Sequence, residues 1–574
     1  MSNRDNISQR RFFFCLSILS WILIAVIAFY FKFFPTLINP LFSDLFIVTL
    51  IFSLLLSLVI GSFMIKYSNQ LFFFLPQCLL ICFFARSVRS LRSSYPPLWD
   101  PYAFLAAFLN IHTFGTLEPM YSYWGTVIAG LIKWPSMLII TESLSRVAGI
   151  NYLWLFEYQE PLLGMIFFLA IFVLAYYLSK NYGVALLSGL ISSLASHVIF
   201  YQSEYHYQGY AYIMFVFLLI SLLATCRCKN QSRYKILAII FTFACAFSHY
   251  FSSLFILFIL GVFFCFVNLI SVFNQTFSNS RLNIIKINNP TNLFFFISFI
   301  LVISYHLFVY PKNIEQYIDM ILSADPYHAS LITSGKGGKI VPFPTNIIHG
   351  IRYVLLLLGF TSILYAIRKN KTDEIILGII CATLVFLGIL GNTLVYLEVG
   401  RIVAFYEVLI GIFAALTLFR LRNLWLRALK NQKLITAILC IVTAGIVTLT
   451  FFGGHYIPDY YFKSLDQNNY YWCNNDLPEM QEYKYAGTWV HNYAPENSYF
   501  VSIDSSDYFI YSAIFFWGHV SYENHVKNRA YLPKDLNEPI FTLSNRRNFS
   551  SGKKRIMDVT NKLYSNEEIE MTAY

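Results

Sequence analysis

A chain of 574 residues that is 57% hydrophobic and only 12% charged carries more apolar sequence than one soluble core absorbs, which excludes a soluble globular enzyme and points to a polytopic membrane protein. Its net charge of +11 gathers on short loops between apolar runs, as expected of loops on the cytoplasmic side of a membrane, and no nucleic-acid partner is expected. Aromatic residues make up 19% of the chain, which suits lipid-facing helices and interfacial belts and is equally what codon bias in an AT-rich genome yields.

Runs of about 20 apolar residues, the length that crosses roughly 30 Å of hydrocarbon, recur at 11–33, 41–65, 70–86, 161–179, 183–201, 209–225, 235–249, 251–272, 293–311, 347–367, 374–396, 403–420 and 434–453. They make about thirteen expected spans. Arg10 and Arg11, Lys66, Lys180, the group from Arg227 to Lys235, Arg281 and Lys286, the group from Arg368 to Lys371, and the group from Arg420 to Lys433 fall on alternate loops, which the positive-inside rule places in the cytoplasm. With the N-terminus inside and an odd number of spans, everything after about residue 455 lies outside the plasma membrane. The first run has no small-residue cleavage site behind it and reads as an anchor.

This gives an N-terminal transmembrane hairpin (1–69), a transmembrane domain (70–454) with outer loops at 87–160 and 312–346, and an extracytoplasmic domain (455–574). The last reads as α/β: Leu477 to Tyr493 has helical spacing, and strand patterns follow at 498–503, 538–543 and 555–572. The expected class is therefore mainly α, a polytopic helical domain with a small α/β domain at its end. Cys473 is the one cysteine of the outer tail and cannot close an intrachain disulfide there. Cys226-Arg227-Cys228 has no second pair beside it and ends a helix, so it reads as structural. The glycine-rich run Ser334 to Lys339 follows no apolar strand and reads as an outer flap, not a phosphate loop.

Chemistry is sought among the polar residues that a membrane makes expensive. Asp100 and Tyr102 follow the third span. Glu204, His206 and Gln208 lie in and beside the short outer loop between the fifth and sixth spans, His249 stands at the outer hairpin between the seventh and eighth, and Arg401 precedes the twelfth. All belong to the outer face in this topology. Asp100 suits a base or acceptor-orienting acid and also a cap for the helix that Pro101 begins, and both roles hold together. Arg86, Arg89 and Arg92 break the positive-inside pattern and suggest contact with headgroups or a lipid phosphate. Glu118, Glu142, Glu157 and Glu160, assigned to the same outer loop, are candidates for a second acid. Acid, arginines and an apolar flank are what sugar transfer from a polyprenyl phosphate needs: a proton acceptor, donors for the leaving phosphate, and a groove for the lipid.

The run Trp99-Asp100-Pro101-Tyr102, continued through Leu105 to Gly115, resembles the first outer loop of oligosaccharyltransferase catalytic subunits. Lys133-Trp134-Pro135-Ser136 through Gly149-Ile150, the loop Ser203 to Gly209, the hairpin Ser248-His249-Tyr250-Phe251-Ser252-Ser253, Gly400-Arg401, and Ala486-Gly487-Thr488-Trp489 through Pro495 resemble, in order, segments of archaeal and bacterial membrane proteins of the GT-C glycosyltransferase fold. The resemblance covers about 70–574. It implies a glycosyltransferase that moves a sugar from a polyprenyl-phosphate donor to a glycan, lipid or protein acceptor at the extracytoplasmic face. It further implies Asp100 as the catalytic acid, with Tyr102, Glu204, His206, Gln208, His249 and Arg401 as substrate-binding residues.

Two departures limit what is carried over. Ser502 to Tyr508 stands where the oligosaccharyltransferases carry Trp-Trp-Asp-Tyr-Gly, so sequon reading is not expected. His206-Tyr207-Gln208 stands where they place carboxylates on a divalent metal, so no metal cofactor is expected. The rival class is a transporter or flippase of lipid-linked envelope intermediates, which predicts broken mid-membrane helices and inverted repeats. A GT-C descendant that kept the fold and lost catalysis is the third.

Overall fold

The computed structural model describes residues 3–33, 45–92, 104–105, 107–108, 111–112, 115, 134–202, 207–227, 231–276, 292–309, 343–393, 399–428, 431–465, 492, 499–502, 525–526, 540–545, 561–565 and 569–573. They fall into two compact units. The first comprises Met1–Arg92, Glu160–Ser203 and Tyr207–Gln467, and the second Ser93–Gln159, Glu204–His206 and Asn468–Tyr574.

The helices in chain order are α1 (Asn3–Phe33), α2 (Leu45–Met64), α3 (Leu71–Arg92), α4 (Ser136–Ala148), α5 (Tyr152–Ser179), α6 (Tyr182–Ser193), α7 (Ser196–Gln202), α8 (Tyr207–Arg227), α9 (Gln231–Ser248), α10 (Tyr250–Thr276), α11 (Asn292–Val309), α12 (Phe343–Arg368), α13 (Thr372–Thr393), α14 (Val399–Ala428) and α15 (Gln432–Leu465). Among the described residues nine helical stretches are long and apolar enough to cross a membrane. The protein is therefore mainly helical and multi-pass. The runs expected at 235–249, 251–272 and 293–311 lie on α9, α10 and α11.

The run at 183–201 departs from expectation. It is two helices, because α6 stops at Ser193 and α7 starts at Ser196. Three serines, Ser192, Ser193 and Ser196, stand at the break, where hydroxyls compete for backbone groups. At the other end of α6 the Asn181 side chain caps the helix by accepting from the Val184 N–H at 3.1 Å.

In the first unit α14 is the central helix, with 94% of its most apolar stretch buried against 33% for α1. Helix α1 is joined to α2 and α3 by a polar seam: Gln77 Nε2 donates to Ser17 Oγ at 2.6 Å, and the hydroxyls of Ser20 and Ser57 are paired. Lys371 and Arg420 both reach Glu374 and Arg227 reaches Asp373, so the two acids of α13's first turn, nearly sealed from solvent, hold the ends of α8, α13 and α14 together. Acids there also complement the helix dipole.

In the second unit residues 104–105, 107–108 and 111–112 are helical. The Gly115 N–H closes that turn on the Ile111 carbonyl at 2.8 Å with φ +66°, the left-handed ending that glycine serves. Five strands, β1 (Tyr499–Ser502), β2 (His525–Val526), β3 (Ile540–Asn545), β4 (Asn561–Ser565) and β5 (Ile569–Ala573), form a mixed sheet of order β2-β1-β3-β5-β4. β1 runs parallel to β2 and β3, and β5 antiparallel to β3 and β4. The helix expected at Leu477 to Tyr493 lies outside the described residues, apart from position 492.

Candidate functional site

Of the residues singled out in the sequence, Asp100, Tyr102, Glu204 and His206 lie outside the described residues, as do Glu118 and the loop 312–342. Arg401 stands in the first turn of α14, with its backbone described and its side chain not. Gln208 is buried at the start of α8 and donates from Nε2 to the Tyr212 hydroxyl at 2.6 Å. His249 is buried between α9 and α10, where Nδ1 accepts the Ser252 N–H at 3.2 Å and meets Ser252 Oγ at 3.1 Å. Cys245 of α9 approaches the Ala211 carbonyl of α8, so the ends of the helices that carry Gln208 and His249 are neighbours.

The described residues correct two expectations about charge. Arg86 faces no headgroup, since its side chain is wholly buried and turned into protein acceptors. Nε and Nη2 both donate to Gln202 Oε1, at 2.9 and 2.6 Å, Nη1 donates to the Cys82 carbonyl at 3.0 Å, and Nη2 to the Ser193 carbonyl at 3.0 Å. The Ser193 carbonyl is one that the break after α6 leaves without a helical partner. Gln202 in turn donates from Nε2 to the Gly209 carbonyl at 3.3 Å. Glu160, expected in the outer loop, belongs to α5, which begins eight residues before it, and is buried within electrostatic reach of Arg86. Two glycines admit this pair: a Cβ on Gly164 would collide with the Arg86 guanidinium and one on Gly209 with the Glu160 carboxylate.

Sequence reasoning missed a second cluster, because its members lie inside runs read as spans. His197 at the start of α7 donates its backbone N–H to Glu407 Oε2 at 3.1 Å, and its Nδ1 lies 3.0 Å from Glu407 Oε1. Arg352 of α12 places Nε 3.3 Å from the same Oε1, donates from Nη2 to Ser196 Oγ at 3.0 Å, and brings Nη2 within 3.4 Å of His197 Nε2. With the proton on Nδ1, His197 donates to the acid and accepts from the arginine, so one carboxylate organises both bases. The available signal was Glu407, an acid inside the apolar run 403–420.

This cluster borders a small cavity of about 10 Å³ between α6, α7, α12, α14 and α15. One side is apolar, made by Ile191, Leu355, Leu356 and Ile410, and the other carries Ser196, Arg352 and Glu407. Arg352 is the third residue of the apolar stretch Gly350–Arg368, Glu407 the sixth of Ile402–Arg427, and Thr450, also on the wall, the fourth from the end of Gln432–Gly453. At about 1.5 Å of rise per residue the cavity sits within two turns of one end of all three stretches.

In the second unit, His112 Nδ1 lies 2.8 Å from Glu142 Oε2, Arg146 pairs with the same carboxylate, and Arg146 Nη2 donates to the His112 carbonyl at 2.7 Å. Phe108 packs on Tyr152 and Phe156. The helical turn that follows Asp100 in sequence is therefore fixed to α4 and the start of α5, and Glu142 is occupied in holding it. Among the described residues no group of three or more His, Cys, Asp or Glu is placed to hold a metal ion.

These elements define a polytopic helical membrane protein with several buried ionic clusters. No family model matches the chain and no curated protein matches it in sequence. Among solved structures it is similar to ArnT of Cupriavidus metallidurans bound to undecaprenyl phosphate, over 88% of this chain and 98% of that one, with a TM-score of 0.52 and 10% identity. It is also similar to the oligosaccharyltransferase AglB of Archaeoglobus fulgidus in complex with an inhibitory peptide and a dolichol-phosphate, over 81% of this chain and 65% of that one, with a TM-score of 0.49 and 12% identity. The chain shares the fold of the ArnT structure.

Proposed function

We propose that the protein is an integral membrane glycosyltransferase that moves a sugar from a polyprenyl-phosphate donor to an acceptor at the outer face of the plasma membrane. The observation that carries this reading is a fold shared with nearly the whole length of ArnT, a protein bound to undecaprenyl phosphate. It is joined by an aspartate, Asp100, eight residues past the end of α3. In this reading Asp100 takes or orients the acceptor proton, Arg401 meets the leaving phosphate, and Tyr102, Glu204, His206, Gln208 and His249 contact substrate. The topology has thirteen spans, with the N-terminus in the cytoplasm and an α/β domain outside.

The broken helix α6–α7 supports a second reading as a transporter, since transporters bind cargo at such breaks. Here the protein's own side chains fill the break. Arg86 takes the Ser193 carbonyl and Glu407 the His197 N–H, which favours a fixed scaffold over a cargo site.

The test is transfer by purified protein from a panel of radiolabelled polyprenyl-phosphate sugars. Asp100→Asn keeps size and capping ability, and is expected to lower transfer at least about a hundredfold with an unchanged melting temperature. Wild-type rates in the variant, with any of the donors used, overturn the assignment.

A further inference from the structure

The turn between α12 and α13 encloses, with the ends of α5 and α8, a cavity of about 340 Å³. Leu178, Cys226, Arg227 and the run from Asn370 to Glu374 line it, at the other end of α12 from Arg352. Its cations are fixed in place. Arg227 pairs through Nη2 with Asp373 Oδ2 and lies 5.1 Å from the centre of the Tyr177 ring, and Lys371 Nζ donates to Glu374 Oε1 at 2.9 Å. Both side chains stay close to half exposed, at 46% and 44%, so each keeps donors for a partner in the cavity. Asp373 is the reverse: its side chain is 2% exposed, and its Oδ1 accepts no hydrogen bond among the described residues. A buried carboxylate oxygen left unmet is costly, and whatever meets it from the cavity must donate.

We infer that this cavity binds a small soluble zwitterion of the amino-acid class, its acid group on Arg227 and Lys371 and its ammonium on Asp373 Oδ1. The ammonium answers the unmet oxygen. The acid group answers the charge balance, because Arg227, Lys371, Arg420 and Lys180 are gathered about Asp373 and Glu374 alone, and a guanidinium with free donors is suited to a carboxylate. A bare anion would bring a second negative charge to Oδ1, and a bare amine would face the excess of cations. The lining decides against larger classes. Leu178 and Cys226 are its only apolar side chains, too little to bed an acyl chain, and no aromatic ring is among the residues that line it for a nucleotide base to stack on. The volume is at the low end for ligand pockets, as a small polar molecule requires. Such a site is independent of the sugar transfer proposed above.

Equilibrium binding of tritiated L-serine, L-asparagine, L-glutamine and L-glutamate to the purified protein in phosphatidylcholine nanodiscs tests this. At least one of the four is expected to bind. The N-acetyl derivative of the tightest binder lacks the ammonium and its carboxamide lacks the acid group; each is expected to compete at least about tenfold less well, the value of one charge-assisted hydrogen bond. Asp373→Asn, which keeps the shape of the side chain and removes its charge, is expected to weaken binding as much. Leu178→Trp, which fills the cavity without touching a charge, is expected to do the same while the melting temperature holds. No binding of any of the four, or undiminished affinity in Leu178→Trp or in a folded Asp373→Asn, overturns the proposal. An N-acetyl derivative that competes equally well makes the cavity a plain anion site and overturns it too, as does an equally good carboxamide, which makes it an amine site. Loss of binding when phosphatidylglycerol is included in the nanodisc gives the cavity to lipid headgroups and has the same consequence. If Asp373→Asn fails to fold, the two derivatives and Leu178→Trp decide.

Discussion

Arg86 shows how much a single residue in an apolar run can carry. Three of its four hydrogen bonds join α3 to the end of α6 and the end of α7, and Glu160 balances its charge from α5. Removing one member of a buried pair costs far more than the pair contributes, because the other is left in low dielectric. Arg86→Met is therefore expected to lower stability by about 3–5 kcal/mol, and adding Glu160→Gln to recover part of that loss. Thermal melts of the two variants in detergent check it; a double variant no more stable than the single one contradicts the pairing. Arg86 was visible in the sequence as a charge where none was expected, yet its direction was not, because basic residues near a span end snorkel outward as readily as they turn inward. Glu407 was equally visible, but its partners Arg352 and His197 are 55 and 210 residues away, and pairing at such separation is a property of the fold alone. The metal expectation also belongs to single side chains. With His206 and Gln208 in place of carboxylates, charge stabilisation falls to arginine, so activity is expected to survive excess EDTA and to drop about tenfold or more in Arg401→Ala. Loss under chelation with rescue by magnesium or manganese would reverse that assignment.

At the scale of elements, helices were legible and their interruptions were not. Hydropathy placed the apolar runs because each must satisfy its backbone internally in lipid, and the strands at 499–502 and 540–545 lie within two residues of their alternating patterns. The break between α6 and α7 was hidden because both halves are apolar, so a window average passes across it. The groups that stabilise the break, Arg86 and Glu407, come from other helices. After Asp100 the sequence offers a helix begun by Pro101, and among the described residues 104–105, 107–108 and 111–112 are helical, with Gly115 in the left-handed region after them. A Cβ there meets nothing within 4 Å, which isolates backbone strain from packing. Gly115→Ala is expected to cost about 1–2 kcal/mol, and Gly115→Asn less, since asparagine tolerates that conformation. A melting comparison of the two in one detergent checks the order, and equal effects would mean that the left-handed geometry is not retained in the membrane.

For the whole molecule, charge and hydropathy combine into one statement about orientation. The ionic ties Arg227–Asp373 and Arg420–Glu374–Lys371 lie on the loops that the basic residues assign to the cytoplasm. The Arg352–Glu407 cluster lies at the opposite ends of α12 and α14. The transfer proposed above acts outside the cell, so it depends on the second of these levels facing outward. We expect the loop after α8 to be cytoplasmic and the tail after α15 to be outside. Labelling with a membrane-impermeant thiol reagent in intact cells measures this directly. Cys473 is expected to react, and a thiol introduced by Asn230→Cys in a background lacking the neighbouring Cys226 and Cys228 is expected to react only after the cells are opened. Reaction at position 230 with protection of Cys473 would invert the molecule. The Arg352–Glu407 cluster would then lie toward the cytoplasmic leaflet, and the proposed transfer would face the wrong compartment.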